Sequence, residues 1–211
     1  MLSQLIQEFV DAVNPYAISE DEGYKPGQIG HMLSESNDLE DADLVLLGCD
    51  EWRGMGIRGS MGNTDTVRQQ LYSLYLWHSA IRIADAGNLK NGVSLTDTYA
   101  GVTMVLREML KAGKRVLLFG GSHDLMLAAY RAFAEERILI ESTAVDALID
   151  LDKEHPFPAH NFLLEMLTSE PNYVKHFNLV GFQSYFVNPN LLETIDKLRF
   201  DCYRVGKVQE K

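Results

Sequence analysis

One histidine and two aspartates occupy positions in this sequence where they could do metal or acid–base chemistry. His123 follows an apolar run and two glycines in LLFGGSHD, and Asp146 and Asp150 lie in the next apolar stretch, TAVDALIDLD. In open parallel sheets, ligands bind at the carboxyl ends of the strands, so these side chains are expected to meet there. One imidazole and two hard carboxylates form a ligand set that suits manganese better than a metal preferring thiolates. The three residues therefore predict a divalent-metal site.

The spacing of the acidic residues allows two interpretations. Asp146, Leu148, Asp150 and Asp152 alternate, and in an extended chain they would project from one face. Carboxylates that converge repel one another and need a cation, hydrogen bonds or solvent. The alternative is that they are solvated residues at a strand end that cap the next helix. Spacing alone leaves both interpretations open.

Short apolar runs alternate with longer helical patterns, which predicts an α/β domain with a mainly parallel, doubly wound sheet. The predicted strands are 42–49, 115–121, 143–152, 177–183 and 201–208. Apolar spacing predicts helices at the N-terminus, at 66–85, after Thr96 or Asp97 as far as Gly113, at 125–136 and at 189–200. On the second of these helices, His78 is expected to lie in the core or at an interface. We expect one domain over residues 1–211.

Composition and charge exclude several functional classes. The chain is 46% hydrophobic and carries a formal net charge of -11, so it can bury a core but offers no basic surface for nucleic acid or anionic membranes. It contains no apolar stretch of about 20 residues that could span a bilayer. The two cysteines, Cys49 and Cys202, match no metal spacing and are expected to be free thiols. We expect a cytoplasmic protein that binds small molecules or proteins.

The loop DEWRGMGIRGSMGNTD follows the first strong strand and contains four glycines. Such a loop either covers a site or only turns the chain. A nucleotide-binding function is disfavoured because the G-x-G-x-x-G pattern and the P-loop lysine are both missing. That function would require the loop to bind an anion through its backbone donors and Arg53 or Arg58.

The motifs around His123 resemble those of the ureohydrolase superfamily, which includes arginases, agmatinases and formimidoylglutamases. Gly120 to His123 match the family's GGDH or GGGH signature with serine at the third place, and Asp146 to Asp150 match DAHxD except at the histidine. The glycine-rich loop and the segment from 180 onward also resemble the family, most closely the formimidoylglutamase type. The resemblance extends from Leu44 to the last residues. It implies a three-layer α/β/α fold.

The resemblance also implies a chemistry. In that family two manganese ions bridge a hydroxide that attacks the central carbon of a guanidino or formimino group. By position, His123 and Asp150 would ligate the first metal and Asp146 would bridge both. His160 and Asn161 lie where the family contacts its small amidine substrate.

Two departures from the family pattern weaken the implied site. Leu148 replaces the histidine of the second metal, and its side chain has no lone pair to donate. The family's later SxDxDxxDP signature does not occur before Lys211. We therefore expect at most one metal with three protein ligands, so that manganese binds at reduced occupancy or not at all. The residues that could substitute as ligands are Asp124, Asp152, His155 and His160.

Two functions follow from these departures. The chain is either a metal-dependent hydrolase of linear amidines, present here as a partial domain without the family's C-terminal strands, or a non-catalytic relative kept for binding or oligomerisation. We expect this chain to be inactive by itself. A parallel sheet without its later strands leaves an unpaired edge and uncovered apolar surface, which predicts a homo-oligomer.

Overall fold

Helices and strands alternate along most of the chain. A computed structural model describes residues 2–19, 23–78 and 80–209. The strands are β1 (Val10–Asp11), β2 (Leu44–Gly48), β3 (Ile83–Leu89), β4 (Arg115–Phe119), β5 (Ile140–Val145), β6 (Val174–Phe182) and β7 (Asp201–Arg204). The helices are α1 (Leu2–Phe9), α2 (Pro15–Ile18), α3 (Ile29–Glu35), α4 (Asn63–Tyr72), α5 (Leu95–Lys111), α6 (Leu125–Glu135), α7 (Phe162–Thr168), α8 (Pro189–Leu198) and α9 (Val205–Gln209).

The strands form two sheets, in the orders β1-β3-β2-β4 and β5-β6-β7. Every pairing is parallel except that of β1 with β3, which is antiparallel. Parallel neighbours require crossover connections, and helices supply them here. The predicted α/β class with mainly parallel strands is confirmed.

The registers place the carboxyl ends of neighbouring strands at the same level. The buried run LVLLG of β2 pairs with β3 on one side and with β4 on the other, and Gly48 lies opposite Phe119. In the second sheet, Val145 at the end of β5 lies opposite Val180. The residues that follow β2, β4 and β5 are therefore the ones available to form a site.

Helix α6 packs into two hydrophobic clusters and so joins the two sheets. Leu125, Ala128 and Ala132 belong to the cluster under the first sheet. Leu127 and Tyr130 belong to the cluster under the second sheet. Helix α6 follows β4 in the chain and precedes β5. Its packing into both clusters therefore fixes the end of β4 relative to β5.

The predicted helix at 66–85 is wrong in its second half. Helix α4 ends at Tyr72, residues 83–89 form strand β3, and His78 is exposed, so it is not a core residue of this chain. The apolar spacing fitted a helix because Asp85 interrupts the apolar run that would have indicated a strand. Asp85 is buried in β3 because a cation from α4 compensates its charge.

Three smaller differences concern element ends. Strand β5 ends at Val145, so the aspartates follow the strand rather than lying in it. Helix α5 begins after Ser94, whose side chain forms a capping box with Asp97, and not at Thr96. Both cysteines are free thiols, as expected. None of the described helices has the length and apolar character needed to cross a membrane.

A buried ion pair links α4 to β3. The guanidinium of Arg68 is fully buried and donates to both carboxylate oxygens of Asp85 at 2.8 and 2.9 Å. Tyr72 donates to the same carboxylate at 2.6 Å. The Asn88 side-chain oxygen accepts from Nη1 of Arg68, and the Gly87 carbonyl accepts from Nη2, which also donates to Asp85. The network saturates the charges, which is the condition for burying them without a large penalty.

Breaking this network should destabilise the fold strongly. We expect Asp85→Asn to lower the free energy of unfolding by about 3 to 5 kcal/mol, because it leaves Arg68 buried and uncompensated. Urea unfolding measures the change. Glu141→Gln, which removes an exposed partner of Lys175, is the control and should leave the midpoint unchanged. Equal midpoints for the two variants would contradict this role for the network.

Candidate metal centre

Two consecutive glycines turn the chain at the end of β4. Gly120 and Gly121 have φ angles of +89° and +74°, a left-handed conformation that side chains rarely adopt. A side chain at Gly121 would also collide with Leu125 and with the carbonyl oxygens of Cys49 and Glu51. The amide of Ser122 then donates to the Glu51 carbonyl at 2.9 Å. This tight turn places His123 just before α6.

The structure brings His123, Asp146 and Asp150 together. The Nδ1 atom of His123 lies 3.1 Å from Asp146 Oδ2 and 3.1 Å from Asp150 Oδ2. One ligand atom from each residue lies within 4.8 Å of the other two. The side chain of His123 is 56% exposed and that of Asp150 only 10% exposed. The imidazole therefore lies at the surface, whereas the Asp150 carboxylate is largely buried. The sequence predicted this convergence.

The two carboxylates change the basicity of the histidine. The hydrogen bond to Asp150 raises the pKa of His123, and the negative charges of Asp150, Asp146 and Asp124 raise it further against the opposing effect of burial. The two carboxylates therefore favour a positive charge at this position. A metal ion would compete with the proton for the ring nitrogen, because ligation requires neutral imidazole.

Leu148 lies beside the triad and cannot ligate. Its backbone N–H donates to Asp146 Oδ1 at 3.0 Å, while its side chain is partly exposed. This hydrogen bond holds the turn that carries Asp146, so the backbone at position 148 orients one carboxylate. The side chain adds only apolar surface.

His160 approaches the triad from the next loop. Its Nδ1 lies 3.9 Å from Asp150 Oδ1, and its ring contacts that of His155 at a tilt of 51° with centroids 4.0 Å apart. Asn161, its predicted companion in substrate binding, donates its side-chain amide to the His155 carbonyl at 3.0 Å. Asp152 is exposed and accepts from the amide of Glu154. His160 is one of the residues considered as substitute ligands, and this contact brings it to the edge of the triad.

Asp124 lies behind the triad, and its environment could not be read from the sequence. Its side chain is fully buried and accepts a hydrogen bond from the Tyr99 hydroxyl. A side chain on Gly54 would collide with this carboxylate, so the glycine is needed for close packing. Oδ1 of Asp124 has no hydrogen-bond partner among the described residues. It is not one of the residues that converge on His123.

Several donors of the glycine-rich loop are engaged with other groups of the protein. Asp50 accepts from the Trp52 indole N–H at 2.5 Å, from the amides of Met61 and Gly62, and from the Ser60 hydroxyl. Arg53 donates to the carboxylate of Glu51 and to carbonyl groups of the loop before α5. These contacts favour a structural role for the loop and give no support to an anion or nucleotide site.

The raised pKa of His123 gives a titration test. We expect Asp150→Asn to bring the pKa of His123 down toward 6.5 in the metal-free protein, because it removes the largest cause of the shift. Because the folded-state pKa is raised, protonated His123 stabilises the protein at low pH, and this stabilisation is lost as the pH rises through that pKa. NMR of the histidine ring protons measures the pKa. Asp152→Asn is the control, and an unchanged His123 pKa in Asp150→Asn would contradict the geometry.

Solved structures share this architecture. A variant of the formiminoglutamase of Trypanosoma cruzi with Mn2+ has a TM-score of 0.74 at 17% identity, covering 87% of this chain and 66% of that chain. The agmatine ureohydrolase of Thermoplasma volcanium has a TM-score of 0.67 at 19% identity, covering 89% of this chain and 64% of that chain. The formimidoylglutamase of Bacillus subtilis has a TM-score of 0.67 at 14% identity, covering 82% of this chain and 59% of that chain. At these identities the likeness shows the fold.

The sequence itself gives the family. No curated protein is similar enough to count as a match. The chain spans about two thirds of the length of the T. cruzi structure. The profile of the Arginase family matches residues 41–211, which is most of the chain. The predicted resemblance to the ureohydrolases is thereby confirmed, and the chain belongs to the arginase family.

Proposed function

We propose that this chain binds one manganese ion through His123, Asp146 and Asp150 and serves the hydrolysis of a C–N bond in a linear amidine. The observation that carries the proposal is the position of His123 Nδ1, 3.1 Å from one oxygen of each carboxylate. This arrangement gathers three ligand atoms without any change in the backbone. Family membership supports the type of chemistry.

The triad fits a hard divalent cation. Two carboxylate oxygens and one imidazole nitrogen suit manganese, and waters would complete the shell. When bound, such an ion activates water at neutral pH and polarises a substrate atom. The second carboxylate oxygen of Asp150, Oδ1, faces Nδ1 of His160. From this position His160 would hold or pass a proton near the substrate. Asn161 supports the same loop through the His155 carbonyl.

Leu148 sets the expected level of activity. A histidine at this position would supply one ligand of a second metal site, and leucine supplies none. A single metal held by three protein ligands should generate a nucleophile poorly compared with a two-metal site. We therefore propose that hydrolysis by this chain alone is much slower than hydrolysis at a two-metal site. The second candidate function, a non-catalytic binding protein of the same family, is favoured by Leu148 alone.

The substrate and the assembly stay proposals. Relatives of similar fold are described as formiminoglutamases and as an agmatine ureohydrolase, so formimino and guanidino compounds are the first ligands to consider. Exposed Leu117 on β4 and exposed Val145 on β5 are consistent with the expected homo-oligomer. Cytoplasmic location likewise stays a prediction.

The metal site can be tested without any substrate. We expect calorimetry to show one manganese ion bound in the micromolar range and His123→Ala to weaken binding by at least about 10-fold. His176→Ala is a matched control, because His176 is also a partly exposed histidine paired with an aspartate, Asp201, but belongs to a different surface. Equal affinities for wild type and His123→Ala would contradict the proposed ligand set.

The same titration separates the two candidate functions. If the site is otherwise preserved, Leu148→His should bind manganese more tightly than wild type and should gain amidine hydrolysis. If the Leu148→His protein binds manganese no more tightly than wild type and shows no hydrolysis, the result would favour the non-catalytic function.

A further inference from the structure

A cavity of about 230 Å3 continues inward from the triad. His123, Asp146 and Asp150 line it on one side. Its other walls come mainly from α6, α7, β5 and β6, and the apolar side chains that shape it include Met126, Phe162, Leu163, Met166, Phe177 and Leu179. The triad and this cavity are parts of one continuous site.

The cavity runs from solvent into the hydrophobic core. His123 is exposed, whereas Leu163, Met166 and Leu179 are all buried and belong to the cluster under the second sheet. A ligand whose head reaches the triad can therefore place its tail among core side chains. Such a tail would lose its contact with water.

The charges on the walls restrict what that tail can be. Among the described residues that line the cavity, the triad supplies the charged groups, and lysine and arginine are absent. A carboxylate buried there would lose its hydration without finding a cation. An alkyl chain would instead gain roughly 0.8 kcal/mol for each buried methylene. Leu148, at the mouth, extends the apolar wall toward the triad.

The size of the cavity limits the tail to a short chain. At about 230 Å3 the cavity is smaller than the pockets of roughly 300 to 1,000 Å3 that hold drug-sized ligands. This is enough for an amidine head and a tail of about four carbons. Longer chains would have to leave through the mouth.

We propose that the ligand of this site is an amidine or guanidine with a short uncharged alkyl tail, and not one whose tail ends in a carboxylate. The inference rests on the proposed function for the head group and adds the chemistry of the tail. The guanidinium or amidinium head lies beside Asp146 and Asp150, and the alkyl tail lies against Met166 and Phe162. In this chain Leu148 contributes to the apolar wall of the ligand site.

Three ligands with the same head test the proposal. Guanidine, n-butylguanidine and 4-guanidinobutanoate are titrated by calorimetry into the full chain, with and without manganese. We expect n-butylguanidine to bind at least about 10-fold more tightly than guanidine, well within the gain from burying several methylenes. We expect 4-guanidinobutanoate to bind at least about 10-fold more weakly than n-butylguanidine, because its carboxylate finds no lysine or arginine among the described residues of the cavity wall. Equal affinities for the three ligands, or tightest binding of 4-guanidinobutanoate, would overturn the proposal.

A variant that fills the cavity locates the tail. Ala144→Leu should reduce the affinity for n-butylguanidine to that for guanidine, whereas Ala129→Leu, a half-buried alanine on α6 that does not line the cavity, should leave both affinities unchanged. An unchanged preference for n-butylguanidine in a folded Ala144→Leu protein would place the tail elsewhere and overturn the proposal. The ligand ranking in wild type decides the matter if that variant does not fold.

The manganese titration keeps the two proposals apart. The cationic head is attracted to the carboxylates even without metal, so the ligand ranking can be measured in metal-free protein. If the chain does not bind manganese but ranks the three ligands as expected, the proposed function is contradicted and the proposed ligand tail is not. If the chain binds manganese but does not rank the ligands as expected, only the proposed ligand tail is contradicted.

Discussion

The site depends on the distance between the ends of β4 and β5, and helix α6 sets that distance. One face of α6 packs under the first sheet through Leu125 and Ala128, and another packs under the second through Leu127 and Tyr130. Because α6 starts directly after His123, its position in both clusters also sets where the imidazole lies. The 3.1 Å contacts to Asp146 and Asp150 follow from this shared packing.

Charge balance distinguishes the triad from the other polar clusters of the protein. Arg68 compensates Asp85 in the interior, and the donors of the glycine-rich loop saturate Asp50. In the triad, one imidazole faces two carboxylates, so even the protonated group retains a net negative charge. A surface-accessible cluster of this kind favours a cation, which the saturated clusters do not need. The apolar cavity beside it makes the same position suitable for a ligand with a cationic head.

Much of the fold could be predicted because β2 and β4 are continuous apolar runs that end at glycine. Strand β3 could not, since Asp85, Gly87 and Asn88 interrupt its pattern and the cation that permits Asp85 lies on α4. The convergence of His123, Asp146 and Asp150 was predicted from strand ends alone, even though the aspartates lie after β5 rather than in it. The burial of Asp124 against Gly54 and Tyr99 depends on contacts between distant segments, which local sequence patterns do not encode.

Anomalous diffraction from crystals of the protein grown with manganese tests the metal centre most directly. We expect one manganese peak within bonding distance of His123, Asp146 and Asp150, with the Leu148 side chain outside the coordination shell. A crystal with no peak at the triad, or with manganese held only by other carboxylates of this acidic surface, would contradict the central claim that these three residues form a metal centre.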